Sequence, residues 1–487
     1  MQTKSLKINA ALNMLRKGCT ILFPIITFSY AAHRLGADRL GAFQFSNSVI
    51  SYFLLLAALG ISTYAVREGQ AYRDDQDKLK TFISEVYTIN VLMTLVSYLV
   101  LGLLLLFWRK LEAYTQIVLI LSISIMLTTI GADWINTLLE DYLYITVRYI
   151  AIQFLCLGAL ITLVKGPEDI YKYACIGMFS SAGGNLLNIL HIRRKIRFHL
   201  TLHPNIRRHL GPMLTLFSNN LAIKIYLLAD VTILGIFMAD QYVGYYSAAS
   251  KVYSAVKELV NALILVTVPR FSYYIAKGNT SDYRRSYHSV LDNVCTLLFP
   301  CIIGLMFQAE NVLHVLGGKE YINGTTALRI LTATMLFAVF SCLFSYSILI
   351  PNKQEKSFLR ATLVSAVTNF VLNLILIPLW GIEAAALTTL LSEMIVCAMT
   401  FSAGKAYMDQ IFVLSGDLKS ALAGSAGIAA VCVLMDMTVH SWVLNMVMSI
   451  GLSCIVYGVI IYVLKNSAAR RVVSLLSRKL EKARPFV

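Results

Sequence analysis

Residues 86–107 read VYTINVLMTLVSYLVLGLLLLF, a stretch of 22 residues without a charged side chain. An α-helix needs about 20 apolar residues to cross the hydrocarbon core of a bilayer. The stretch therefore predicts a transmembrane helix, which we place at residues 84–108.

The same kind of composition extends over the whole chain, which has 487 residues, 57% of them hydrophobic and only 14% charged. Soluble proteins have about 25% charged residues, so a soluble fold of this length could not hide its apolar surface. This excludes a soluble enzyme, a secreted disulfide scaffold and a disordered chain. The net charge of +16 is spread over short loops, which argues against a nucleic-acid-binding protein.

Apolar runs of spanning length recur along the chain and predict an all-α polytopic membrane protein with about fourteen transmembrane helices. The predicted spans are 11–33, 42–66, 84–108, 114–139, 144–165, 168–191, 212–238, 242–268, 289–316, 324–350, 357–378, 382–404, 417–439 and 442–465. We expect two six-helix lobes followed by two C-terminal helices.

A short internal echo favours this division. Ala37-Asp38 precedes Gly41 at the start of span 2, and Ala239-Asp240 precedes Gly244 near the start of span 8. The offset of six spans indicates two related halves, an arrangement that many transporters share. The predicted segments are an N-terminal lobe at 1–191, a basic cytoplasmic linker at 192–211, a C-terminal lobe at 212–404, spans 13 and 14 at 405–465, and a basic amphipathic tail at 466–487.

The distribution of Lys and Arg predicts the orientation in the membrane. With fourteen spans, and with basic residues near a span end counted toward the nearer side, 31 of the 42 basic residues belong to the side of the N-terminus, 7 to the opposite side and 4 to the interior of spans. Positively charged loops stay in the cytoplasm, so both termini are predicted to be cytoplasmic in a bacterial cell membrane. Residues 468–482 fit either a helix on the anionic inner leaflet or a solvated terminal helix.

Several ionisable or polar residues lie inside predicted spans, where a charged group costs about 2.5–3.5 kcal/mol at the centre of a helix. They are Lys224 and Asp230 in span 7, Tyr246, Lys251, Tyr253, Lys257 and Glu258 in span 8, Arg329 in span 10 and Glu393 in span 12. Because half of span 8 is polar, we expect it to line a water-filled cavity. Ion pairs that only lock helices together are the alternative. Arg329 lines the cavity or snorkels outward, and Glu393 is a coupling-ion carrier or a buried partner.

The residue types in this predicted cavity suit a phosphate next to a sugar, because lysines attract phosphate and tyrosine rings stack on sugars. The sequence has no GxxxxGK[ST] motif, so we predict no ATP site and no cofactor. The nine cysteines form no CxxC pair and are interpreted as packing residues. His199, His203 and His209 are interpreted as part of a solvated basic loop, and no metal site is predicted.

Two stretches resemble bacterial polysaccharide flippases of the Wzx type, which move O-antigen or capsule repeat units and belong to the multidrug/oligosaccharidyl-lipid/polysaccharide exporter superfamily. The first stretch contains Phe23-Pro24, Thr27-Phe28, Arg34-Leu35-Gly36-Ala37, Gly41, Phe45, Ser48, Ser51-Tyr52-Phe53, Leu59-Gly60-Ile61 and Tyr64-Ala65-Val66-Arg67-Glu68-Gly69. The second contains Asp133-Trp134, Glu140-Asp141-Tyr142, Tyr144-Ile145-Thr146 and Arg148. The family often has a Gln-Gly pair before the acid, where this chain has Thr137-Leu138-Leu139.

The resemblance implies a two-lobed, fourteen-helix fold that moves an undecaprenyl-diphosphate-linked oligosaccharide to the outer leaflet. It implies membrane lipids and a polysaccharide polymerase machinery as partners. Arg34, Arg67 and Glu68 would act as gate or pairing residues. Asp133 and Arg148 would pair across the turn between spans 4 and 5.

Three other functions remain open at this point. A cation-coupled multidrug exporter would need a more acidic cavity. A peptidoglycan-precursor flippase would have the same fold and the same positively charged cavity. A membrane polysaccharide polymerase or ligase would need a large external catalytic loop with paired carboxylates, which the predicted spans do not leave room for.

Overall fold

The computed structural model describes residues 6–408 and 417–470, which are helical with short connections and contain no β-strand. The first helices are α1 (Leu6–Ala58), α2 (Ile61–Gly69), α3 (Gln76–Phe107), α4 (Thr115–Gly131), α5 (Trp134–Leu138), α6 (Tyr142–Leu163), α7 (Ile170–Met178) and α8 (Gly184–Lys195). The others are α9 (Ile206–Phe237), α10 (Asp240–Leu265), α11 (Val268–Ala276), α12 (Thr280–Gly317), α13 (Thr325–Phe344), α14 (Glu355–Met408), α15 (Leu418–Thr438) and α16 (Trp442–Val463). Most of the predicted tail lies outside the described residues.

Two of these helices turn at a glycine. Gly36 in α1 has φ 78° and ψ 171°, and Gly381 in α14 has φ 62° and ψ −133°. Positive φ is inexpensive only for glycine, so each residue sets the point where the helix is kinked between two predicted spans. These turns separate spans 1 and 2, and spans 11 and 12.

Eleven helical segments in the described part of the chain are long and apolar enough to cross a membrane. They establish a multi-pass membrane protein. Two of the segments, Gly18–Tyr72 and Glu355–Tyr407, each cover two predicted spans. The predicted span 168–191 coincides with α7, a π-helical turn at Phe179–Gly183 and α8. The number of crossings, fourteen in our prediction, stays a prediction.

The contacts between residues divide the chain into two compact units, Met1–Ser247 and Ala248–Val487. In the first unit, α1 packs against α3, α4, α6 and α9. In the second unit, α12 packs against α13 and α15, while α13 packs against α14. The lobe boundaries at 191 and 212 stay a prediction.

Within the first unit, the two copies of the internal echo contact each other. A methyl group on Gly41 would lie 1.8 Å from the carbonyl oxygen of Asp240, and one on Gly244 would lie 2.3 Å from the carbonyl oxygen of Ala37. The backbones of α1 and α10 therefore touch at this crossing. Only glycine leaves the space for such an approach.

A hydrophobic cluster closes one end of the first unit. It joins α2, α3, α5, α8 and α9, and includes Ile61, Ile83, Ile135, Ile192 and Met213, each at most 1% exposed. This cluster positions the polar side chains of the first unit that lie on the same helices, because it fixes the ends of those helices.

Candidate functional site

The second unit contains a group of charged residues around Lys257. The Lys257 ammonium lies 4.7 Å from the centre of the Tyr253 ring, one turn earlier on α10. The carboxylates of Glu393, on α14, and of the neighbouring Glu258 both act on Lys257 electrostatically, and Glu393 is only 8% exposed. Ionisable residues inside transmembrane helices usually pair with one another, and they commonly mark a substrate or ion pathway.

In the first unit, two groups of polar contacts involve α1, α9 and the start of α10. The Tyr246 hydroxyl donates to the carboxylate of Asp230. Close by in sequence, Thr232 donates to Ser48 over 3.1 Å and lies 3.3 Å from the Tyr52 hydroxyl. Lys224 lies half-buried on the same helix as Asp230, and no carboxylate of the described residues forms an ion pair with it.

The other predicted cavity residues lie in the second unit. Lys251 is half-buried on α10. Arg329 is exposed on α13, and its Nε donates to the carbonyl oxygen of Met306 over 3.3 Å. The proposed role of Lys224, Lys251, Lys257 and Arg329 in one common cavity stays a prediction.

Two of the predicted gate elements lie at exposed positions. The Arg67 guanidinium pairs with the adjacent Glu68 over 3.0 Å, and the two side chains are 58% and 43% exposed. Arg34 is exposed, with its guanidinium 5.5 Å from the centre of the Tyr30 ring. Exposed ion pairs contribute little to stability because water screens them.

Asp133 and Arg148 form a more buried ion pair. Their atoms lie 2.6 Å apart across the α4–α6 connection, and the Arg148 side chain is only 9% exposed. Asp133 also accepts hydrogen bonds from Asn136 and Asn188, over 3.2 and 3.4 Å. Arg148 lies against the ring of Tyr144. This arrangement ties α6 to the turn before it and to α8.

The residues directly before α6 extend this network. Asp141 accepts hydrogen bonds from Lys195 and, over 2.8 Å, from His191, both on α8. Burial alone would raise the pKa of Asp141, but these two hydrogen bonds outweigh it and hold the pKa below its ordinary value. The His191 ring stacks on Tyr144 at 3.6 Å.

The neighbouring acid, Glu140, has left-handed backbone angles with φ 56°. It accepts two hydrogen bonds from the Arg73 guanidinium, over 2.9 and 3.4 Å. This two-pronged pair joins the segment after α2 to the turn between α5 and α6. The bidentate geometry offsets the cost of the left-handed residue.

The interpretation of His209 as a solvated loop residue is wrong. His209 lies in the first turn of α9 with no exposed surface. Its Nδ1 is hydrogen-bonded to the Tyr64 hydroxyl at 2.6 Å, and its Nε2 to Glu85 Oε2 at 2.9 Å. The helix starts earlier than the basic sequence suggested, since Asn205 caps it by accepting from the Arg208 N–H.

The sequence matches the profile of the family described as "Polysaccharide biosynthesis protein" over residues 6–275, which is more than half of the chain. The chain belongs to this family. It is 21% identical over 403 residues to a putative O-antigen transporter of Escherichia coli K12, which covers 81% of this chain and 95% of that protein. It is 30% identical over 168 residues to the probable low-salt glycan biosynthesis flippase Agl15 of Haloferax volcanii, about 34% of each chain.

The fold of this polysaccharide biosynthesis protein is similar to that of a solved transporter. The structure of the lipid II flippase MurJ in its inward closed conformation aligns with this one with a TM-score of 0.73 and 14% sequence identity. The alignment covers 94% of this chain and 99% of MurJ. The comparison confirms the predicted all-α polytopic fold. The family and the relatives confirm the resemblance to Wzx-type flippases, so the protein is a membrane transporter of the glycan flippase type and not an enzyme.

The sequence did not reveal the contacts of four residues in the polar network of the first unit: Arg73, Glu85, Glu140 and His191. Each is paired with a residue at least 50 positions away in the sequence. A local pattern does not contain such pairs. Glu140 directly follows the predicted span 114–139 and offered a weak signal, because a charged residue at the end of a span needs a partner or water.

Proposed function

We propose that this protein moves undecaprenyl-diphosphate-linked oligosaccharide repeat units from the inner to the outer leaflet for the synthesis of a surface polysaccharide. The observation that carries the proposal is the similarity to a putative O-antigen transporter over 95% of that protein's length. A polysaccharide polymerase machinery would then take over the unit in the outer leaflet.

The chemistry of the substrate fits the residues inside the spans. In the proposed mechanism, Lys224, Lys251 and Lys257 attract the diphosphate in a basic central cavity that opens to each side in turn. Ammonium groups bind phosphate as point charges. Tyr246 and Tyr253 are 2% and 5% exposed in this structure, so their rings would stack on a sugar only in a state with the cavity open. The termini stay in the cytoplasm throughout, as the distribution of Lys and Arg predicts.

The carboxylates near Lys257 supply the coupling step. Glu393 and the diphosphate compete for the same ammonium group, so a coupling ion bound at Glu393 would free Lys257 for the substrate. The electrostatic interaction between Lys257 and Glu393 supports this step. An inside-negative potential drives an outgoing anion by about 2.3 kcal/mol per charge per 100 mV, so the diphosphate also gains from the potential itself.

The test is complementation of a bacterial strain that lacks its own repeat-unit flippase. Lys224→Ala or Lys257→Ala should abolish surface polymer and leave lipid-linked units on the inner leaflet, while the protein level is unchanged. Lys319→Ala is the matched control, because this lysine is exposed at the start of the short 3₁₀ helix Lys319–Gly324 between α12 and α13. Normal polymer from both Lys224 and Lys257 variants would contradict the assigned roles. Altered drug susceptibility of the deletion strain would favour the multidrug exporter.

A further inference from the structure

We propose that the first unit has a second anion site, a cavity that binds phosphate groups at the end of the unit predicted to be cytoplasmic. The cavity has a volume of about 830 Å³ and lies between the segment after α2, the start of α3, the turn before α6 and the end of α8. We call it the arginine cavity. It is separate from the span lysines, and its argument does not depend on the proposed function.

The lining of the arginine cavity is strongly basic. The cationic residues in it are Arg73, Lys80, Arg193, Arg194, Lys195 and Arg197, and Asp74 is the one acid among its lining residues. Such an excess of positive charge in a concave wall concentrates anions from the surrounding solution.

Three of these arginines are available to a ligand. Arg73 pairs with Glu140, Lys195 with Asp141 and Lys80 with Asp77. Among the described residues, Arg193, Arg194 and Arg197 form no ion pair with a carboxylate. A guanidinium presents a planar fork of N–H donors that matches the oxygens of a phosphate group.

The cations that form ion pairs, Arg73 and Lys195, have a structural role, because they hold the walls of the cavity together. The Arg73–Glu140 pair joins the segment after α2 to the turn before α6, and the Asp141–Lys195 contact joins that turn to α8. Leu79 and Ile196, which also line the cavity, are buried. The cavity is therefore preorganised, and a ligand would not need to order its arginines from separate flexible segments.

The size and the charge point to a phosphate-bearing ligand. Ligand cavities in proteins commonly measure about 300–1,000 Å³, so this one can hold a diphosphate with part of an attached group. The same chemistry is offered by the headgroup of an anionic phospholipid in the inner leaflet. The two sources share the phosphate, and the experiment separates them.

The probe is inorganic pyrophosphate, titrated by calorimetry into the full chain in neutral detergent at low salt. We expect the triple variant Arg193→Gln, Arg194→Gln, Arg197→Gln to bind at least about tenfold more weakly than the unmodified protein. The matched control, Lys277→Gln, Arg284→Gln, Arg285→Gln, removes the same number of predicted cytoplasmic charges outside the cavity and should bind normally. A second variant, Arg193→Lys, Arg194→Lys, Arg197→Lys, keeps the positive charge and should lose less affinity for pyrophosphate than the Gln variant. If the Gln variant does not fold, weaker binding by this Lys variant than by the unmodified protein tests the site instead.

The same titration in nanodiscs identifies the source of the phosphate. Suppression of pyrophosphate binding by phosphatidylglycerol, but not by phosphatidylcholine, assigns the site to a lipid headgroup. Equal binding in both lipids assigns it to a phosphate from solution. The proposal is overturned if the unmodified protein does not bind pyrophosphate, or if the cavity variant and the control bind alike. No flipping is measured, so these outcomes are independent of the Lys257 test.

Discussion

Gly41 of α1 and Gly244 of α10 face each other so closely that the Gly244 backbone nitrogen would lie 3.0 Å from a methyl group on Gly41. The contact is reciprocal, because Gly244 in turn has no room beside Ala37. The two glycines belong to the two copies of the internal echo. Their crossing is thus a packing site in which the same short motif serves both helices.

Gly41→Ala should destabilise the protein, because the added methyl group must displace backbone atoms of Asp240. Overpacking of this kind costs about 1–3 kcal/mol, and a backbone neighbour places the value at the upper end. Thermal unfolding in detergent measures the effect. Gly158→Ala is the control, since nothing lies within 4 Å of its added methyl group. An unchanged melting temperature of Gly41→Ala would refute the close approach.

Arg148→Ala should destabilise the protein far more than Arg67→Ala, although both arginines are part of ion pairs. Loss of Arg148 leaves Asp133 in a mostly buried network, at a cost of about 3 kcal/mol. Loss of Arg67 removes an exposed pair, worth about 0–1 kcal/mol. The comparison of unfolding midpoints tests this ranking. Equal effects would mean that burial does not separate the two pairs.

Tyr64→Phe should weaken the first unit, because it leaves the buried Nδ1 of His209 without its hydrogen-bond partner. An unsatisfied buried group costs about 1–3 kcal/mol. His203→Ala is the matched control, since that histidine is exposed. The measurement is the denaturant midpoint of both variants, and a Tyr64→Phe protein as stable as the control would exclude a structural role for the contact.

The lowered pKa of Asp141 predicts that the folded protein loses stability in acid. Its pKa is lower in the folded protein than in the unfolded chain, so its contribution is complete above the ordinary aspartate value, about 3.9. The contribution disappears as the pH falls through the lower folded value. Asp141→Asn should be less stable at neutral pH and should lose less stability between about pH 5 and pH 3. Parallel pH profiles of the two proteins would show that Asp141 is not responsible.

The transmembrane framework could be predicted because it depends on local composition. Apolar runs such as 86–107 identify their own helices, and the predicted span ends at 33 and 378 fall close to Gly36 and Gly381. The family was also visible in the first third of the chain, where the matching motifs lie within single helices and their turns.

The polar sites could be predicted only in part. Lys257 and Glu393 stood out because charges are rare in spans, but their proximity depends on the packing of α10 and α14. His209 was misjudged because its partners are 124 and 145 residues away in the sequence. The arginine cavity needs parts of the chain that are far apart in the sequence to converge, and the two that supply its positive charge, 73–80 and 193–197, each look like an ordinary basic loop when taken alone.

The turns at Gly36 and Gly381 also determine how the orientation of this protein can be measured. Consecutive spans there are joined without a loop, so an epitope or reporter inserted at either point would push two adjacent helices apart. The connection at 196–205 is not helical, and its exposed positions 202 and 203 can accept an insert while the helices on both sides remain folded. Reporter fusions placed there would show which face of the membrane carries the arginine-rich end.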